Sequence, residues 1–286
     1  MNMPPKFSVI VINYNSAQCC VDLIKEWSKP KQLSNWEMII LENGSPQQKN
    51  EVRRIKQQIA AVAAEQRIKL LTSSINLGFG GGNNMAAQNA SGEWLFFLNA
   101  DTLVEQSILV ALEHELLKIQ QATGQLPVVL APALVLADGK TRQEFAWGVF
   151  PTLKGLLKQN NKNVVVPVTN ESYFAVDWVS GAALVIAKKS FDLIGGFDEN
   201  YFMYFEDVDL CKSVVNALPK QKIYVDTKLK ITHLGGKSLK INRQRYRLYF
   251  KAQCYYFRKH LGIMSALAMS LIRWPYKLWR LYFYKP

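Results

Sequence analysis

The sequence has few cysteines, and their spacing excludes the commonest cysteine-based sites. Cys19, Cys20, Cys211 and Cys254 form no CxxC pair and show no metal-ligand spacing. A chain of 286 residues does not need disulfides to stabilise its core, so we expect reduced thiols in a reducing compartment. The composition, 49% hydrophobic and 20% charged, also lacks the bias of disordered or fibrous proteins and indicates a globular chain.

Long apolar runs are missing as well. The N-terminal MNMPPKF leads directly into a strand-like segment, without the apolar stretch and small-residue cleavage site of a signal peptide. The longest weakly polar run, residues 261–274, is interrupted by Arg273. A membrane-spanning helix needs about 20 apolar residues, so this run is too short to cross a bilayer. The sequence therefore predicts a cytoplasmic protein that is not integral to the membrane.

Acidic residues are absent from the last sixty positions. Residues 227–286 contain fourteen Lys and Arg and no Asp or Glu. Removing these fourteen from the total of 35 leaves 21 basic against 22 acidic residues in the first 226. The net charge of +13 therefore comes from the C-terminal segment, an asymmetry typical of a tail that meets an anionic surface.

What the chain does contain is an alternation of apolar strands with helical patterns. Predicted strands cover residues 7–12, 36–41, 67–71 and 94–98, and predicted helices cover 17–27, 48–63 and 82–90. Near-continuous apolar strands separated by helices indicate a mostly parallel sheet with helices on both faces. The first half is therefore predicted to be a doubly wound α/β fold.

Beyond residue 126 the alternation is looser. Predicted strands cover residues 128–136, 181–187 and 223–226, and predicted helices cover 206–216, 238–260 and 263–284. Pro275 is expected to kink the last helix. The second half thus continues the α/β pattern and ends in two amphipathic helices.

Polar residues follow each of the first four strands, at the edge where open parallel sheets bind ligands. They are Asn13-Tyr14-Asn15, Glu42-Asn43-Gly44-Ser45, the glycine-rich segment 76–84, and Asn99-Ala100-Asp101. One such loop is ordinary turn chemistry, but four on the same edge predict a site. The glycine-rich segment has Asn83 where a dinucleotide fingerprint requires its third glycine, so a dehydrogenase is disfavoured. A simple turn explains this segment as well as a nucleotide contact does.

Three further residues are candidates for chemistry, each with a structural alternative. Asp101 follows an apolar strand and suits a hard cation, or it caps the next helix. His233 closes a strand before a glycine-rich turn, as a metal ligand or as a structural histidine. Asp207 heads the apolar face of its helix, as a general base or as a helix cap. The same helical spacing predicts that Asp209 points outward, because the residues three, four and seven beyond it are polar.

Seven segments together resemble the inverting glycosyltransferases of family 2, in particular their bacterial rhamnosyltransferase-like branch. They are 8–16 (SVIVINYNS), 41–45 (LENGS), 76–84 (NLGFGGGNN), 97–102 (FLNADT), 179–183 (VSGAA), 194–209 (IGGFDENYFMYFEDVD) and 233–238 (HLGGKS). The resemblance covers about the first 240 residues and implies a GT-A fold. It implies a catalytic domain over 1–238, with a nucleotide-binding half (1–104) and an acceptor-binding half (105–238), followed by a basic, aromatic-rich helical tail (239–286).

The resemblance also implies roles for individual residues. The nucleotide sugar would contact Asn13, Tyr14, Asn15, Glu42, Asn76, Asn84, Asn99 and Asp101. Asp101 and His233 would hold Mg²⁺ or Mn²⁺, and Asp207 would be the catalytic base. Trp178, Gly181 and Glu206 would line the sugar or acceptor pocket. The sequence departs from the family where Glu42 replaces the usual Asp, and where Asn99-Ala100-Asp101 has one carboxylate fewer than Asp-x-Asp.

The activity implied is the inverting transfer of a sugar, L-rhamnose from dTDP-rhamnose, to a lipid-linked bacterial surface glycan or an oligosaccharide acceptor. Another UDP- or dTDP-sugar is the alternative donor. A non-catalytic glycan-binding or nucleic-acid-binding protein is the alternative of another class. Nucleic acid is not expected as a partner, because it would leave Asp101, Asp207 and the polar loops without a role.

The tail interleaves basic and aromatic residues. In the first tail helix Arg243, Arg247, Lys251 and Arg258 fall near one side, and Tyr246, Tyr249, Phe250 and Phe257 favour another. The last segment places Trp274, Tyr276, Trp279, Tyr282 and Phe283 among Arg273, Lys277 and Arg280. This pattern is typical of helices on an anionic membrane, here the inner face of the cytoplasmic membrane. A helical pair packed on the body and a homodimer interface are the alternatives.

Overall fold

The computed structural model describes residues 6–29, 35–64, 66–157, 172–235 and 243–278, with side chains to residue 275. Its strands are β1 (Phe7–Asn13), β2 (Trp36–Asn43), β3 (Ile68–Ser73), β4 (Trp94–Leu98), β5 (Thr102–Leu103), β6 (Val129–Val135), β7 (Trp147–Gly148), β8 (Tyr173–Val176), β9 (Trp178–Val179), β10 (Ala183–Ala187) and β11 (Ile223–His233). Its helices are α1 (Ala17–Trp27), α2 (Gln48–Ala61), α3 (Gly78–Ala87), α4 (Ile108–Thr123), α5 (Leu153–Leu157), α6 (Lys188–Leu193), α7 (Glu206–Ala217), α8 (Arg243–Leu261) and α9 (Ile263–Leu278).

The central sheet has the order β3-β2-β1-β4-β10-β6-β11-β5, with β8 pairing to β11. The strands β1 to β4 are mutually parallel, as the alternating pattern predicted. In the second half β10 runs antiparallel to both β4 and β6, while β6 and β11 are parallel. The predicted α/β fold with a mostly parallel sheet is confirmed, and β10 joins its two halves.

The core forms around β4, which lies between β1 and β10 and is buried along its whole length. Phe97 of β4 packs against Phe191 and Phe197, with ring centroids 5.2 and 5.1 Å apart. Each fully buried side chain of this size contributes about 1.5–3 kcal/mol. Burial on both faces explains the unbroken apolar run and fixes the strand end that delivers Asn99 and Asp101 to the rim.

The glycine-rich segment is a helix from its first glycine, not a loop followed by the predicted helix at 82–90. Gly78 opens α3 with φ +75°, and a Cβ there would lie 2.3 Å from the Phe202 carbonyl oxygen. A Cβ on Gly82 would lie 3.1 Å from the Asn43 amide nitrogen. Glycine is a poor helix former, so close tertiary packing, rather than propensity, explains the composition.

The tail helix α8 packs on the catalytic body. Phe250, Tyr256 and Phe257 are buried, and the ring of Phe205 lies 5.5 Å from that of Tyr256. Packing on the body, one of the two alternatives to a membrane helix, therefore describes this helix. No helix in the described ranges is long and apolar enough to span a bilayer. The predicted residues 238–242 and the side chains of Tyr276, Lys277, Trp279, Arg280, Tyr282 and Phe283 lie outside what the structure describes.

The prediction that Asp209 points outward is wrong. Asp209 is 2% exposed, and Tyr201 donates its hydroxyl to it over 3.1 Å. Lys259 and His260 of α8 reach the same carboxylate at 2.8 and 2.7 Å. The helical spacing misled because a separate helix, fifty residues later in the chain, covers the polar side of α7.

Candidate active site

The carboxyl ends of the strands meet at a cleft of about 430 Å³. It brings together eight of the residues predicted for the site. They are Tyr14, Asn76, Asn99, Asp101, Gly181, Glu206, Asp207 and His233. The cleft thus combines the rim of the first half with the acidic segment of the second.

Asp101 and His233 form a pair on one wall of the cleft. The antiparallel pairing of β5 with β11 sets His233 opposite Thr102, beside Asp101. His233 Nε2 lies 3.1 Å from Asp101 Oδ1, and each side chain is 11% exposed. Asn99 Nδ2 lies 3.3 Å from the same imidazole nitrogen. Carboxylate and imidazole are thereby presented side by side to the cleft.

Gln143 orients this imidazole. Its Oε1 lies 2.7 Å from His233 Nδ1 and accepts the ring N–H in the tautomer that leaves a lone pair on Nε2. A metal-binding histidine normally donates its other N–H to such an oxygen, so the pair fits a divalent cation. The described residues contain no group of three or more His, Cys, Asp or Glu that could hold a metal ion. The remaining ligands would then be water and substrate phosphate, as is usual for Mg²⁺.

The sequence did not predict the contact of Gln143 with His233. It lies between β6 and β7, ninety residues before His233, in a stretch without a motif. No local signal in the sequence could have linked these two residues.

Asp207 and Glu206 begin α7 on another wall of the cleft. The Gly181 N–H donates to Asp207 Oδ2 over 3.1 Å, and the Val208 N–H donates to Oδ1 over 2.8 Å. Burial raises the pKa of Asp207 above its ordinary value despite these two donors. A Cβ on Gly181 would lie 2.9 Å from the Phe79 ring, which explains the glycine at this contact.

The backbone before α7 is strained. Tyr204 and Phe205 have φ values of +72° and +67°, although neither is glycine. Such conformations cost about 1–3 kcal/mol each and persist only where packing imposes them. Here the Phe205 ring packs on Tyr249 and Tyr256 of α8, with centroids 5.5 Å apart in both contacts. The tail helix thus holds the turn that aims the two acids into the cleft.

The same helix lines the cleft directly through Gln244, Arg245 and Leu248. The Arg245 guanidinium lies 5.8 Å from the ring centroid of Tyr204. The sequence assigned these residues to a separate tail, so their place in the cleft was not predicted. The boundary predicted at residue 238 separates two parts of one site.

Five predicted residues do not line the cleft in the described part of the chain: Asn13, Asn15, Glu42, Asn84 and Trp178. Four of them support the rim or the wall behind it. Asn13 bonds Glu51, Asn15 N–H bonds Ser45, Glu42 accepts the Ser45 N–H, and Trp178 Nε1 donates to the Val149 carbonyl. Direct substrate contacts of these residues stay predictions.

Asn84 is the fifth of them, and its amide is bonded at both ends within the protein. Its Nδ2 donates to the Phe197 carbonyl over 2.8 Å, and its Oδ1 accepts the Phe197 N–H over 2.9 Å. The residue therefore ties α3 to the segment before α7. This geometry disfavours the predicted role of Asn84 in holding the donor.

A known family model matches the N-terminal part of the chain. Residues 8–124 match the model described as glycosyl transferase family 2. The rhamnosyltransferase WbbL of Escherichia coli (strain K12) is 27% identical over 145 residues, which are 47% of this chain and 53% of that protein. The chain thus spans about half the length of this curated relative.

Two further proteins extend the comparison. The N-acetylglucosaminyl-diphospho-decaprenol L-rhamnosyltransferase of Mycobacterium tuberculosis (strain CDC 1551 / Oshkosh) is 57% identical over 35 residues, 12% of this chain and 11% of that protein. The mannosyltransferase PcManGT from Pyrobaculum calidifontis, solved with GDP-Man and Mn²⁺, has a TM-score of 0.58 at 15% identity. That match covers 98% of this chain and 73% of the other, and confirms the GT-A fold.

Proposed function

We propose, from the premise that the chain contains a family 2 glycosyltransferase domain with rhamnosyltransferase-like relatives, that it is an inverting, metal-dependent glycosyltransferase. The observation that carries the proposal is one cleft whose two walls present different chemical groups. A carboxylate and an oriented imidazole, Asp101 and His233, face it on one side, and two neighbouring acids, the buried Glu206 and the partly buried Asp207, face it on the other.

The two walls suit the two charge movements of the reaction. Breaking the sugar–phosphate bond builds negative charge on the leaving diphosphate. Asp101 and His233 would hold a Mg²⁺ or Mn²⁺ ion, which supplies Lewis-acid stabilisation of that charge when bound. Asn99 and Tyr14 line the same cleft and would orient the donor.

Asp207 is the proposed base for the acceptor hydroxyl. Its two backbone donors fix the carboxylate, and burial raises its pKa, which makes it a stronger base than an exposed aspartate. Removing the hydroxyl proton as the carbon–oxygen bond forms contributes typically about 10²–10⁴-fold. Attack from the face opposite the diphosphate inverts the anomeric centre in one displacement.

Donor and acceptor are proposed from the names of the relatives. Two of them are named rhamnosyltransferases, and one name specifies an N-acetylglucosaminyl-diphospho-decaprenol acceptor. We therefore assign L-rhamnose from dTDP-rhamnose as the donor, with another UDP- or dTDP-sugar as the alternative. A lipid-linked surface glycan is the acceptor.

The membrane contact that such an acceptor requires is assigned to α9, on the inner face of the cytoplasmic membrane. Met264, Leu267, Leu271 and Trp274 recur at helical spacing and are 73%, 54%, 74% and 59% exposed. We call these four residues the α9 stripe. Arg273 lies within its span, and the surrounding segment has no acidic residue, so apolar and basic groups are combined as anionic lipid surfaces require. A homodimer through this stripe is the alternative.

The decisive experiment is donor turnover by the purified protein. A panel of nucleotide sugars, with a synthetic N-acetylglucosaminyl-diphospho-lipid as acceptor, would be assayed with Mg²⁺, with Mn²⁺ and with EDTA. We expect metal-dependent release of one nucleoside diphosphate, lost in Asp101→Ala. Asp207→Asn should abolish transfer while donor affinity, measured by calorimetry, stays within about twofold, since the base acts only as the proton moves. Absence of any nucleotide-sugar binding in calorimetry would refute the proposal.

A further inference from the structure

Glu206 has a buried carboxyl oxygen that the protein leaves without a hydrogen bond. The residue is 6% exposed, and its Oε2 has no partner among the described residues. Yet Glu206 lines the cleft beside Asp207. A buried polar atom without a partner costs about 1–3 kcal/mol, so its retention at this position indicates a partner that arrives with the substrate.

Glu206 and Asp207 do not hold their charge equally well. Asp207 receives the N–H groups of Gly181 and Val208, and both bonds favour the carboxylate form. The Glu206 carboxyl receives only its own backbone N–H among the backbone donors, and its Oε2 receives no hydrogen bond from the described residues. Burial and the neighbouring Asp207 raise the pKa of Glu206 well above the ordinary range. When the charge of one buried carboxyl group raises the pKa of its neighbour, the pair retains one proton over a wider pH range than either group alone. The hydrogen bonds assign the charge to Asp207 and the proton to Glu206.

The other charged groups around this pair do not reverse the assignment. Asp209, on the same helix, raises the pKa of Glu206 further, and its own charge is met by Lys259 and His260 of α8. Arg245 of α8 lines the same cleft and lowers the pKa of Tyr204, whose own burial raises it. Its guanidinium lies 5.8 Å from the ring centroid of Tyr204.

We propose that Glu206 is a neutral carboxylic acid that donates a hydrogen bond to a second oxygen of the acceptor sugar, adjacent to the hydroxyl that Asp207 deprotonates. The inference rests on the proposed function and restricts the class of acceptor sugar. The nucleophilic hydroxyl must have a neighbouring oxygen, a hydroxyl or a carbonyl, within reach of Glu206. The proton of the nucleophile passes to Asp207, and Glu206 keeps its own proton throughout.

Two substitutions separate a neutral donor from a buried anion. The amide of Glu206→Gln offers an N–H at the same place and has the same shape, so its kcat/KM for transfer to the synthetic acceptor should stay within about threefold. Glu206→Ala leaves the acceptor oxygen unpaired and should lower kcat/KM about tenfold or more. A Gln variant as impaired in transfer as the Ala variant would overturn the proposal.

An infrared difference spectrum tests the charge state without any substrate. Wild type minus Glu206→Gln should show the carbonyl band of a protonated carboxylic acid, whereas wild type minus Asp207→Asn should show carboxylate bands instead. If the acid band is missing while transfer is intact, this inference alone fails. If the band is present but the wild type neither binds nor turns over a nucleotide sugar, the proposed function and the acceptor contact fail, and only the charge assignment stands.

Discussion

The Nδ1 side of the His233 imidazole is held by Gln143. Gln143 Oε1 lies 2.7 Å from Nδ1, and this bond decides which ring nitrogen faces Asp101. Because a ring that rotates or changes tautomer presents the wrong atom to a cation, the second partner matters nearly as much as the ligands themselves.

We predict that Gln143→Leu weakens Mn²⁺ binding by about 10–100-fold. Gln143→Glu keeps an oxygen acceptor at the same position and should retain most of the affinity. Isothermal calorimetry or the electron paramagnetic resonance signal of free Mn²⁺ measures both variants in the presence of nucleoside diphosphate. Equal Mn²⁺ affinity in wild type and Gln143→Leu would show that His233 is not a ligand.

The proton on Glu206 should also appear in the stability of the protein. A carboxyl whose pKa is raised in the folded state ionises more readily in the unfolded chain. Its contribution is therefore fully present below the unfolded pKa, about 4.3 for glutamate, and is lost as the pH rises towards the folded value. Glu206→Gln removes this pH-dependent contribution to the unfolding free energy. We predict that the unfolding free energy of wild type falls relative to Glu206→Gln from about pH 4.3 upward.

Urea denaturation of the two proteins over a pH series measures this difference. The other titrating groups are common to both proteins, so the difference curve reports Glu206 together with its interaction with Asp207. Parallel curves from acid to neutral pH would mean that Glu206 titrates normally in the folded protein.

Residue-scale prediction from the sequence succeeded where the determining neighbours were local. Asp101 follows an apolar strand, and its placement at the rim required only that strand. The prediction that Asp209 points outward failed because Lys259 and His260, fifty residues away, pack on the polar side of α7 and bury this carboxylate. Helical periodicity describes one helix and carries no information about what packs on it.

At the scale of elements, the first turn of α7 is fastened to α8. Asp209 and Asp198 both accept from Lys259, at 2.8 and 2.7 Å, and Asp209 also meets His260. Asp209 lies two residues from Asp207, so the same contacts that hold α8 in place also hold the segment that carries the proposed base. The tail helix therefore belongs to the wall of the cleft.

We predict that Asp209→Ala lowers the free energy of unfolding by about 3–5 kcal/mol, because it removes one member of a buried charge cluster. The matched control is Asp192→Ala, which breaks the pair with Lys188 on the surface of α6, where Asp192 is 54% exposed. Exposed pairs contribute about 0–1 kcal/mol. Chemical denaturation measures both, and a loss in Asp209→Ala no larger than in the control would contradict the buried cluster.

The start of α3 is a second place where an element is defined by its neighbour. Gly78 and Gly124 have nearly the same backbone, with φ of +75° and +76°. A Cβ on Gly78 would lie 2.3 Å from the Phe202 carbonyl oxygen. A Cβ on Gly124 would have no neighbouring atom of the described residues within 4 Å. The two positions therefore separate steric overlap from backbone strain.

We predict that Gly124→Ala costs about 1 kcal/mol, the usual penalty for a left-handed alanine. Gly78→Ala should cost several times more and should also weaken donor binding, because Gly78 and Phe202 both line the cleft. Thermal unfolding and donor calorimetry measure the two effects. Equal losses at the two positions would show that the α3–Phe202 contact is loose.

The helices and strands were predictable where an apolar period is strong. The helix predicted at 17–27 is α1, because Cys20, Ile24 and Trp27 form a buried stripe at helical spacing. The bounds of the glycine-rich helix could not be predicted, because its helix propensity is low and tertiary contacts, among them those with Asn43, Phe197 and Phe202, stabilise it. The antiparallel direction of β10 was equally hidden, because a strand buried on both faces reads alike in either direction.

At the scale of the whole molecule, the basic C-terminal segment divides into two parts. On α8, part of the charge is used internally, since Lys259 pairs with Asp198 and Asp209. On α9, Ala266 and Met269 are buried, whereas the side chains of the α9 stripe are exposed and recur with about the period of the helix. Part of the basic charge therefore holds α8 beside the cleft, and α9 exposes the stripe for which a membrane contact is proposed.

The α9 stripe makes the membrane proposal testable. We predict that the protein sediments with vesicles containing anionic lipid, more weakly at high salt, since screening weakens attraction between surface charges. The double variant Met264→Glu/Leu271→Glu should bind these vesicles at least about tenfold more weakly, because two side chains that would each contribute about 1.5–3 kcal/mol on burial become charged. The control is Leu117→Glu/Leu193→Glu, which adds the same charge at residues 48% and 62% exposed on α4 and α6.

If the two double variants lose vesicle binding equally, net charge alone governs the association and the α9 stripe does not insert. If neither loses binding, and Met264→Glu/Leu271→Glu instead changes the sedimentation coefficient in ultracentrifugation, the stripe joins two copies of the chain. Loss confined to the stripe variant, with donor hydrolysis intact, would place a lipid surface against the helix that packs on α8. Because α8 lines the cleft, the acceptor lipid would then be held on the side from which its sugar reaches Asp207.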